Sequence, residues 1–320
     1  MDLRQLRYFV AIVEHGSFSK AANQLRVAQP ALSQHLRHME EELGVTLLHR
    51  GTRGVLPTEA GERLLQRAKA ILTEFGELRD TVRGEKSAPV GEVCFGIPGT
   101  VSELLSVPLI EAAQARYPTV RIRIAEAMSG YILDWLRRGE VDLAMIYSTS
   151  NPGGLAIHHA LTEELCLFGS TELETCQVAT GNPVTLAEAA NLDLILPGPA
   201  HGLRDLIEEA ALSINAPIWP AIEIDSYGQI KQLVQRGRGF GILPRTAIAR
   251  EVKAGMFNSW PLTAPPLTRK VFLAYSTERP LPAAVRAIGQ LAWETLRQLV
   301  QDGAWAANLA DESNRPSLYL

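Results

Sequence analysis

Apolar residues in the first forty positions recur at the three- and four-residue spacing of amphipathic helices. The first predicted helix begins at Leu3 and ends before Gly16, because a glycine at this place is a helix-termination signal. Ser17 can cap a second helix, and Pro30 stands in the first turn of a third, where proline is tolerated. The predicted buried faces are Leu3, Leu6, Phe9, Val10 and Val13, then Phe18, Ala21, Ala22 and Leu25, then Leu32, Leu36 and Met39. The pattern predicts a helix-turn-helix.

The third helix carries polar and small side chains on the faces that its apolar stripe leaves free. Such side chains can contact base edges and phosphates. They are Gln29, Ala31, Ser33, Gln34, Arg37 and His38. The alternative interpretation is that these residues only solvate a small helical bundle.

Residues 44–57 predict two short strands around a glycine-rich turn that carries arginines, Arg50 and Arg53. A hairpin that follows a helix-turn-helix is a wing. Because the minor groove of DNA has a negative potential, an arginine on the wing can enter it. The wing therefore favours DNA binding over a plain helical bundle.

Thr58 is a suitable N-cap for a long helix, with Glu59 and Glu62 near its positive end. Apolar residues along this helix alternate steps of four and three, which is typical of a coiled-coil seam. The predicted dimerisation residues are Leu64, Ala68, Ile71, Phe75, Leu78 and Val82. A homodimer built on this seam would match a DNA site with two-fold symmetry. The alternative is a helix that packs on its own domain.

After a linker near Pro89, short apolar strands alternate with helical stretches, which predicts an α/β region of two similar lobes. The predicted strands are 93–97, 120–125, 143–147, 165–169, 194–196, 218–224 and 271–275, and the predicted helices are 101–116, 129–138, 203–215, 227–235 and 282–300. The composition of the C-terminal tail predicts poor order.

Five motifs carry a resemblance to a known family: LRQLRYF at 3–9, GSFSKAA at 16–22, AQPALS at 28–33, LGV at 43–45 and LPTEAG at 56–61. With them, the chain resembles the LysR-type transcriptional regulators over nearly its whole length. Residues 97–100, 126–130 and 199–204 are similar to the nitrogen-assimilation-control subgroup. The resemblance places DNA contacts at Gln29, Pro30, Ser33, Gln34, Arg50 and Arg53. Gln34 departs from the arginine that many members have, so we expect a weaker or displaced phosphate contact there.

The resemblance implies a multidomain fold, in which an all-α winged helix-turn-helix and a long linker helix precede an α/β effector domain with two lobes, like a periplasmic binding protein. The domains are expected at 1–58 (DNA binding), 59–88 (linker and dimerisation) and 89–302 (effector binding), with a tail at 303–320. Lobe I would comprise 89–162 and 266–302, and lobe II 163–265. The implied partners are promoter DNA, further copies of the chain in a homodimer or homotetramer, and RNA polymerase.

Ligands of open α/β sheets bind beyond the carboxyl ends of the strands, where helix N-termini present free N–H groups. The resemblance places such a cleft between the lobes, and we expect a small polar or carboxylate-bearing metabolite in it. The alternative, which the resemblance to the nitrogen-assimilation-control subgroup implies, is a regulator that acts without an effector. The predicted effector-binding residues are Gly99, Thr100, Ser102, Met128, Ser129, Pro199, His201 and Arg204. Helix capping explains Thr100 and Ser129 equally well. For Arg204, a surface ion pair with Glu208 is the favoured interpretation.

The composition of the chain reduces the number of protein classes to which it can belong. The 320 residues are 46% hydrophobic and 21% charged, which indicates a globular chain of two or three folding units. The net charge is −4, although residues 1–87 hold 13 Lys and Arg against 11 Asp and Glu, a mildly basic head on an acidic body. Because no apolar run reaches the roughly 20 residues of a membrane helix, we expect a cytoplasmic protein.

Catalytic and metal-binding interpretations find little support in the sequence. Cys94, Cys166 and Cys176 form no close pair, and the histidines lack companions at ligand spacing. The glycine-rich segment 237–241 follows a helix and precedes a strand, the reverse of the order in a dinucleotide fold. We therefore predict no metal, no cofactor and no enzyme. The competing class is a solute-binding protein or two-lobed enzyme with a helical dimerisation segment.

Overall fold

The computed structural model describes residues 1–51, 54–83, 88–147, 153–172, 182–199, 201–316 and 318. The chain divides into an N-terminal unit, Met1–Ala88, and a C-terminal unit, Pro89–Leu320. Among the described helices, none is long and apolar enough to cross a membrane.

The N-terminal unit is a small helical domain with a two-stranded hairpin. Its elements are α1 (Leu3–His15), α2 (Phe18–Leu25), α3 (Gln29–Leu43), β1 (Leu48–Gly51), β2 (Gly54–Pro57) and α4 (Glu59–Arg83). The apolar faces that the sequence predicts meet in one core around Phe9, Ile12 and Leu32. Gly16 ends α1 in the left-handed conformation, and Ser17 caps α2 through the N–H of Lys20. The predicted winged helix-turn-helix is confirmed.

Two glycines fix the hairpin against the helices. A Cβ on Gly54, where φ is +112°, would lie 2.7 Å from the carbonyl oxygen of Gly16, so the close approach requires glycine. The N–H of Val55 donates to that same oxygen at 3.0 Å. A Cβ on Gly61 would lie 2.1 Å from the carbonyl oxygen of Leu47. The hairpin is thereby held between the end of α1 and the start of α4.

The first half of the long helix α4 packs against the core of its own domain. Ala68 is fully buried, and Leu64 packs against the same core as α1. Further along, Ile71 and Phe75 are 46% and 41% exposed. The start of the predicted seam thus packs on its own domain, as the alternative interpretation expects, while Ile71 and Phe75 are uncovered within one chain.

The C-terminal unit contains one long mixed sheet flanked by helices. Its elements are β3 (Gly91–Pro98), α5 (Gly99–Arg116), β4 (Val120–Ala127), α6 (Ser129–Arg138), β5 (Leu143–Ile146), β6 (Leu155–Ser170), β7 (Val184–Thr185), α7 (Leu186–Ala189), β8 (Leu194–Leu196), α8 (Gly202–Ser213), β9 (Ile222–Glu223), α9 (Tyr227–Gln235), β10 (Phe240–Pro244), α10 (Ala249–Lys253), β11 (Phe257–Thr263), β12 (Thr268–Ser276), α11 (Ala283–Gln301) and β13 (Ala307–Leu309).

The strand order β4-β3-β5-β12-β6-β10-β8-β9 shows how two lobes share a sheet. Strands β3, β4 and β5 are parallel on one side, and β8, β9 and β10 are parallel on the other. The antiparallel strands β12 and β6 lie between these sets. Each side has its own buried core, one around Phe95 and Ile288 and the other around Phe168 and Ile207. The predicted two-lobed α/β fold is confirmed.

The sequence prediction misses or misplaces several strands. The predicted strand 165–169 is the C-terminal part of β6, and the residues before it include His158, His159 and Glu163, which break the apolar pattern. Of the predicted strand 218–224, the structure has only β9, because the segment before it pairs through the single N–H of Ala221 with Leu194. Strand β11 was not predicted.

The prediction of a poorly ordered tail is wrong for residues 303–316. Strand β13 pairs antiparallel with β6, with Asn308 opposite Thr162. Trp305 is 1% exposed and belongs to the lobe I core, which Leu318 also joins. Composition misleads here because one buried indole anchors an otherwise polar segment. The effector domain therefore continues past the predicted boundary at 302.

Replacing Trp305 by alanine should lower the free energy of unfolding by about 3–5 kcal/mol, since the indole fills the core and its loss leaves a cavity. The indole N–H also donates to Glu163 at 3.1 Å. Urea unfolding followed by circular dichroism measures the change. The matched control is Trp219→Ala, because Trp219 is 80% exposed and its loss should change stability by no more than about 0.5 kcal/mol. Equal effects of the two replacements would contradict an anchored tail.

Candidate DNA interface and ligand cleft

Helix α3 turns one polar face outward because its other face is buried. Leu32, Leu36 and Met39 are 0–2% exposed and lock the helix against the core. The predicted contact residues lie on the free side, with Gln29, Pro30, Gln34 and Arg37 exposed and Ala31 and Ser33 partly exposed. The structure thus brings these six residues together on one helical surface.

Contacts from the first turn of α3 would be made mainly by its side chains. The N-cap residue, Ala28, makes no side-chain hydrogen bond to the helix, Pro30 has no N–H, and the N–H of Ala31 donates to the carbonyl of Ala28 at 3.0 Å. The hydroxyl of Ser19 in α2 donates to the amide oxygen of Gln29 at 3.4 Å, which orients that side chain.

The wing residues and the distal seam are only partly described. Arg50 lies in β1, but its side chain lies outside the described part of the structure, and Arg53 lies outside the described residues altogether. Leu78 and Val82 lie in α4, and their side chains are likewise outside the described set.

In the C-terminal unit, four helices begin at the same place between the lobes. Helices α5 and α6 of lobe I and α8 and α9 of lobe II start at Gly99, Ser129, Gly202 and Tyr227. A Cβ on Gly202 would lie 2.9 Å from the Ser129 hydroxyl, so the lobes touch here. Beside this contact is a cavity of about 320 Å³, lined by Gly99, Glu103, Glu126, Ala127, Met128, His201, Asp225, Ser226, Tyr227 and Gly228.

The predicted effector residues take different positions relative to this cavity. Gly99, Met128 and His201 line it, and Thr100 and Ser129 are buried close by. The hydroxyl of Ser102 instead contacts that of Ser106 at 2.9 Å, and Pro199 is exposed outside the described lining.

Arg204 is a buried structural residue. It is 5% exposed, so the interpretation as a surface ion pair is wrong, although the predicted partner is correct. Its Nε donates to Glu208 at 2.6 Å, and its Nη1 donates to Glu223 at 3.0 Å and to the carbonyl of Pro197 at 3.2 Å. These contacts tie α8 to strands β8 and β9.

A buried ion pair lies where β6 and β12 cross between the lobes. Arg269 and Glu163 are direct partners across the two strands and are 1% and 2% exposed. Nε of Arg269 donates to Glu163 at 2.8 Å, and Nη2 donates to the hydroxyl of Thr100 at 2.8 Å. The guanidinium carbon stands 3.9 Å from the centre of the Tyr147 ring. Burial opposes the charge of Arg269, but the Glu163 carboxylate outweighs it and raises the arginine pKa.

His201 and Tyr227 form the lobe II wall of the cavity. Burial, with the nearby charge of Arg269, lowers the pKa of His201 to about 4, so the ring is neutral. Its Nδ1 accepts the N–H of Leu203 at 3.2 Å, which places the ring proton on Nε2. Nε2 therefore donates to the Tyr227 oxygen, 3.0 Å away. The hydroxyl hydrogen of Tyr227 then remains available to another acceptor.

Sequence reasoning missed Arg269, Glu163, Tyr147 and Tyr227. Arg269 stands between Thr268 and Lys270 and resembles a solvent-facing position of an edge strand. Glu163 likewise stands between Thr162 and Glu164, so the local sequence does not distinguish either buried charge from its more exposed polar neighbours. Within the described residues, no cluster of His, Cys, Asp or Glu could hold a metal ion.

A winged helix-turn-helix unit combined with a two-lobed α/β unit that encloses a cavity defines a ligand-responsive DNA-binding regulator. Comparisons with known proteins agree with this class. Residues 3–62 match the model of the bacterial regulatory helix-turn-helix protein, lysR family, and residues 86–297 match the LysR substrate binding domain. The chain belongs to the LysR family.

Individual relatives are similar along the whole chain. The nitrogen assimilation regulatory protein nac of Escherichia coli K12 is 31% identical over 305 residues, covering 94% of this chain and 97% of that protein. The HTH-type transcriptional regulator BbuR of Bordetella bronchiseptica is 28% identical, covering 95% and 93%. A full-length OxyR variant from Pseudomonas aeruginosa superposes with a TM-score of 0.71 at 24% identity, covering 93% and 98% of the two chains.

These matches establish the chain as a DNA-binding transcriptional regulator with an effector-binding domain. The prediction that it is not an enzyme is confirmed, because the matching family models and relatives are those of regulators. The competing classes, a solute-binding protein or a two-lobed enzyme, are excluded by the helix-turn-helix match at residues 3–62.

The lowered pKa of His201 predicts a pH-dependent stability. Since the unfolded ring titrates near 6.5 and the folded ring near 4, only the unfolded state gains a proton as the pH falls between these values. This stabilisation is present above pH 6.5 and is lost on acidification, by about 2 kcal/mol between pH 7 and 5. His201→Asn replaces the capping nitrogen Nδ1 by an amide oxygen, which can accept the same N–H, and removes the titration.

Urea unfolding at the two pH values measures this effect. The pH dependence of the free energy of unfolding should be smaller in the His201→Asn variant by about 2 kcal/mol. An identical pH dependence in variant and wild type would show that the His201 ring is not held neutral.

Proposed function

We propose that the chain binds promoter DNA as a homodimer or homotetramer in the cytoplasm, where bacterial DNA lies, and that a small polar metabolite in the inter-lobe cavity changes the arrangement of its DNA-binding units. The observation that carries the proposal is the outward polar face of α3, held in place by three buried apolar side chains. RNA polymerase is the partner through which such a protein would act on transcription.

The DNA contacts would follow from the chemistry of the exposed face. Gln29 presents an amide that can pair with the edge of adenine, and Ser33 carries a hydroxyl that can donate or accept. Arg37 lies further along α3 and suits a phosphate. Gln34 is uncharged, so it would contribute less to phosphate binding than an arginine at the same place.

Replacing Gln29 by alanine should weaken binding to a preferred sequence by about 1–3 kcal/mol and relax the preference at one base pair. Duplexes selected by the wild-type protein from a random pool provide the target, and electrophoretic shifts at a single salt concentration measure the affinity. Gln229→Ala is the matched control, since Gln229 is an exposed glutamine of the C-terminal unit. If Gln29→Ala binds with unchanged affinity and preference, the contact assignment fails. If the wild-type protein selects no sequence, DNA recognition by this surface fails.

The dimer would form through the exposed part of α4. Ile71 and Phe75 lie on α4 one helical turn apart, and a soluble helix rarely leaves such side chains uncovered without a partner. A second α4 supplies an apolar stripe of the same spacing, which is the arrangement of a coiled coil.

Phe75→Glu should weaken self-association at least about 100-fold, because a symmetric interface loses two buried rings and gains two buried carboxylates. Analytical ultracentrifugation of the full chain measures the change. Leu56→Glu serves as the control, since Leu56 is 64% exposed in the wing and lies outside α4. A Phe75→Glu protein that sediments like the wild type would rule out this seam.

The ligand response requires that the metabolite bind two arrangements of the lobes with different affinity. The lobes touch at Ser129 and Gly202, and Lys231 of lobe II lies 3.4 Å from Glu103 of lobe I. The ion pair is easily broken, because Glu103 is half exposed and its attraction to Lys231 is screened. A ligand between the lobes can therefore shift their arrangement.

A further inference from the structure

We propose that the ligand of the inter-lobe cavity is a small amphoteric molecule that carries one carboxylate and one ammonium group, as an amino acid does. This inference rests on the proposed ligand response and specifies the charge of the ligand. It narrows the expectation of a polar or carboxylate-bearing metabolite, because the cavity has acidic residues at its rim and unused hydrogen-bond donors behind its wall.

The rim of the cavity is negatively charged. Glu103, Glu126 and Asp225 line it and are all exposed, whereas none of the described lining residues is Lys or Arg. His201 adds no positive charge, since its ring is neutral. Lys231 stands nearby but is held by Glu103 and by Glu251, at 3.4 and 2.9 Å. A ligand with only negative charge would be repelled, and an ammonium group would be attracted.

Behind the acidic rim, the wall of the cavity carries hydrogen-bond donors, which suit a negatively charged group. Nη1 of Arg269 is buried and meets no acceptor with hydrogen-bond geometry within the described part of the chain, although Nε and Nη2 are used by Glu163 and Thr100. The Tyr227 oxygen lies close enough to the guanidinium to be stabilised by it, but it does not complete the coordination of Nη1. An unpaired buried donor is costly and favours an acceptor. The hydroxyl hydrogen of Tyr227 is a second donor, because His201 Nε2 already donates to the Tyr227 oxygen. Two such donors suit the two oxygens of a carboxylate.

Arg269 lies directly behind the cavity wall. The Thr100 hydroxyl that accepts from Nη2 follows Gly99 in the chain, and Gly99 lines the cavity. On the other side, Arg269 opposes the effect of burial, which raises the pKa of Tyr227 to about 12. The guanidinium is therefore adjacent to Thr100 of lobe I, next in the chain to Gly99, and to Tyr227 of lobe II.

The wall itself is a contact between the lobes. A Cβ on Gly99 would lie 3.2 Å from Cδ2 of Tyr227 and 3.2 Å from a carboxylate oxygen of Glu126. Arg269 is thus shut off from the cavity until Gly99 and Tyr227 move apart. A carboxylate that reaches Nη1 must separate the lobes at this point, which links ligand binding to lobe arrangement.

Charge balance decides between an anion and an amphoteric ligand. Arg269 and Glu163 already neutralise each other, so a carboxylate alone would bring an uncompensated negative charge close to Glu126. Asp225 also occupies a nearby donor, because its Oδ1 accepts the N–H of Gly198 at 3.0 Å. An ammonium group on the ligand, directed toward Glu126, restores the balance.

Isothermal titration calorimetry of the full-length chain tests the proposal. The probes are the standard protein amino acids, each compared with the carboxylic acid that lacks its amino group and the amine that lacks its carboxylate. At least one amino acid should bind at least about tenfold more tightly than both of its matched compounds, because each partial compound forfeits one charged contact. Equal binding of an acid or an amine, or the binding of no amino acid, overturns the proposal.

Two variants test the ammonium contact and the carboxylate contact of the ligand separately. Glu126→Gln should weaken amino-acid binding about tenfold and strengthen binding of the matched acid, since it removes repulsion at the rim. Glu111→Gln is the control, because Glu111 is exposed on α5 and is not among the described lining residues. Tyr227→Phe should weaken the amino acid and the matched acid alike while sparing the amine. Glu126→Gln and Glu111→Gln proteins that bind identically would contradict the assigned rim.

Failure of this inference differs from failure of the proposed function. If only carboxylic acids or only amines bind and alter the electrophoretic shift of DNA, the ligand response stands and the amphoteric ligand is rejected. If no compound binds and DNA binding is unaffected by all of them, both the amphoteric ligand and the proposed response to such metabolites are rejected.

Discussion

The buried pair of Glu163 and Arg269 is the constraint on which the C-terminal unit depends. Charges taken out of water are costly unless they are paired and hydrogen-bonded, so both strands must keep this register. The pair also organises its surroundings, because Arg269 holds Thr100 and faces Tyr147, while Glu163 receives the indole N–H of Trp305. Both lobes and the tail thus meet at one ion pair.

Buried and exposed contacts have different roles in DNA contact by the N-terminal unit and in ligand binding by the C-terminal unit. In the N-terminal unit, buried apolar side chains orient α3 and leave a polar surface free to contact bases. In the C-terminal unit, the apolar cores lie within the lobes, and the contacts between helix N-termini across the cavity are polar or involve glycine. Apolar cores fix each lobe, and the weaker polar contacts leave the arrangement of the lobes open to a ligand.

Local signals predicted most helices well but did not reveal the centre of the cleft. Helices α6 and α9 have the predicted bounds, because caps and apolar spacing act within a few residues. Arg269 and Glu163 are 106 residues apart, so their pairing depends on strand order, which no local pattern contains. Trp305 was missed for the same reason. The cavity residues Gly99, Met128 and His201 were predicted because helix starts after strands are readable locally.

A double-mutant cycle on Glu163 and Arg269 tests most directly whether this pair organises the C-terminal unit. The free energy of unfolding would be measured for the wild type, Glu163→Gln, Arg269→Met and the double variant. Each single replacement should cost about 3–5 kcal/mol, because it leaves one buried charge unpaired. The double variant should lose at least about 2 kcal/mol less than the sum of the two single losses. Additive losses would show that the pair is not coupled and would contradict the account.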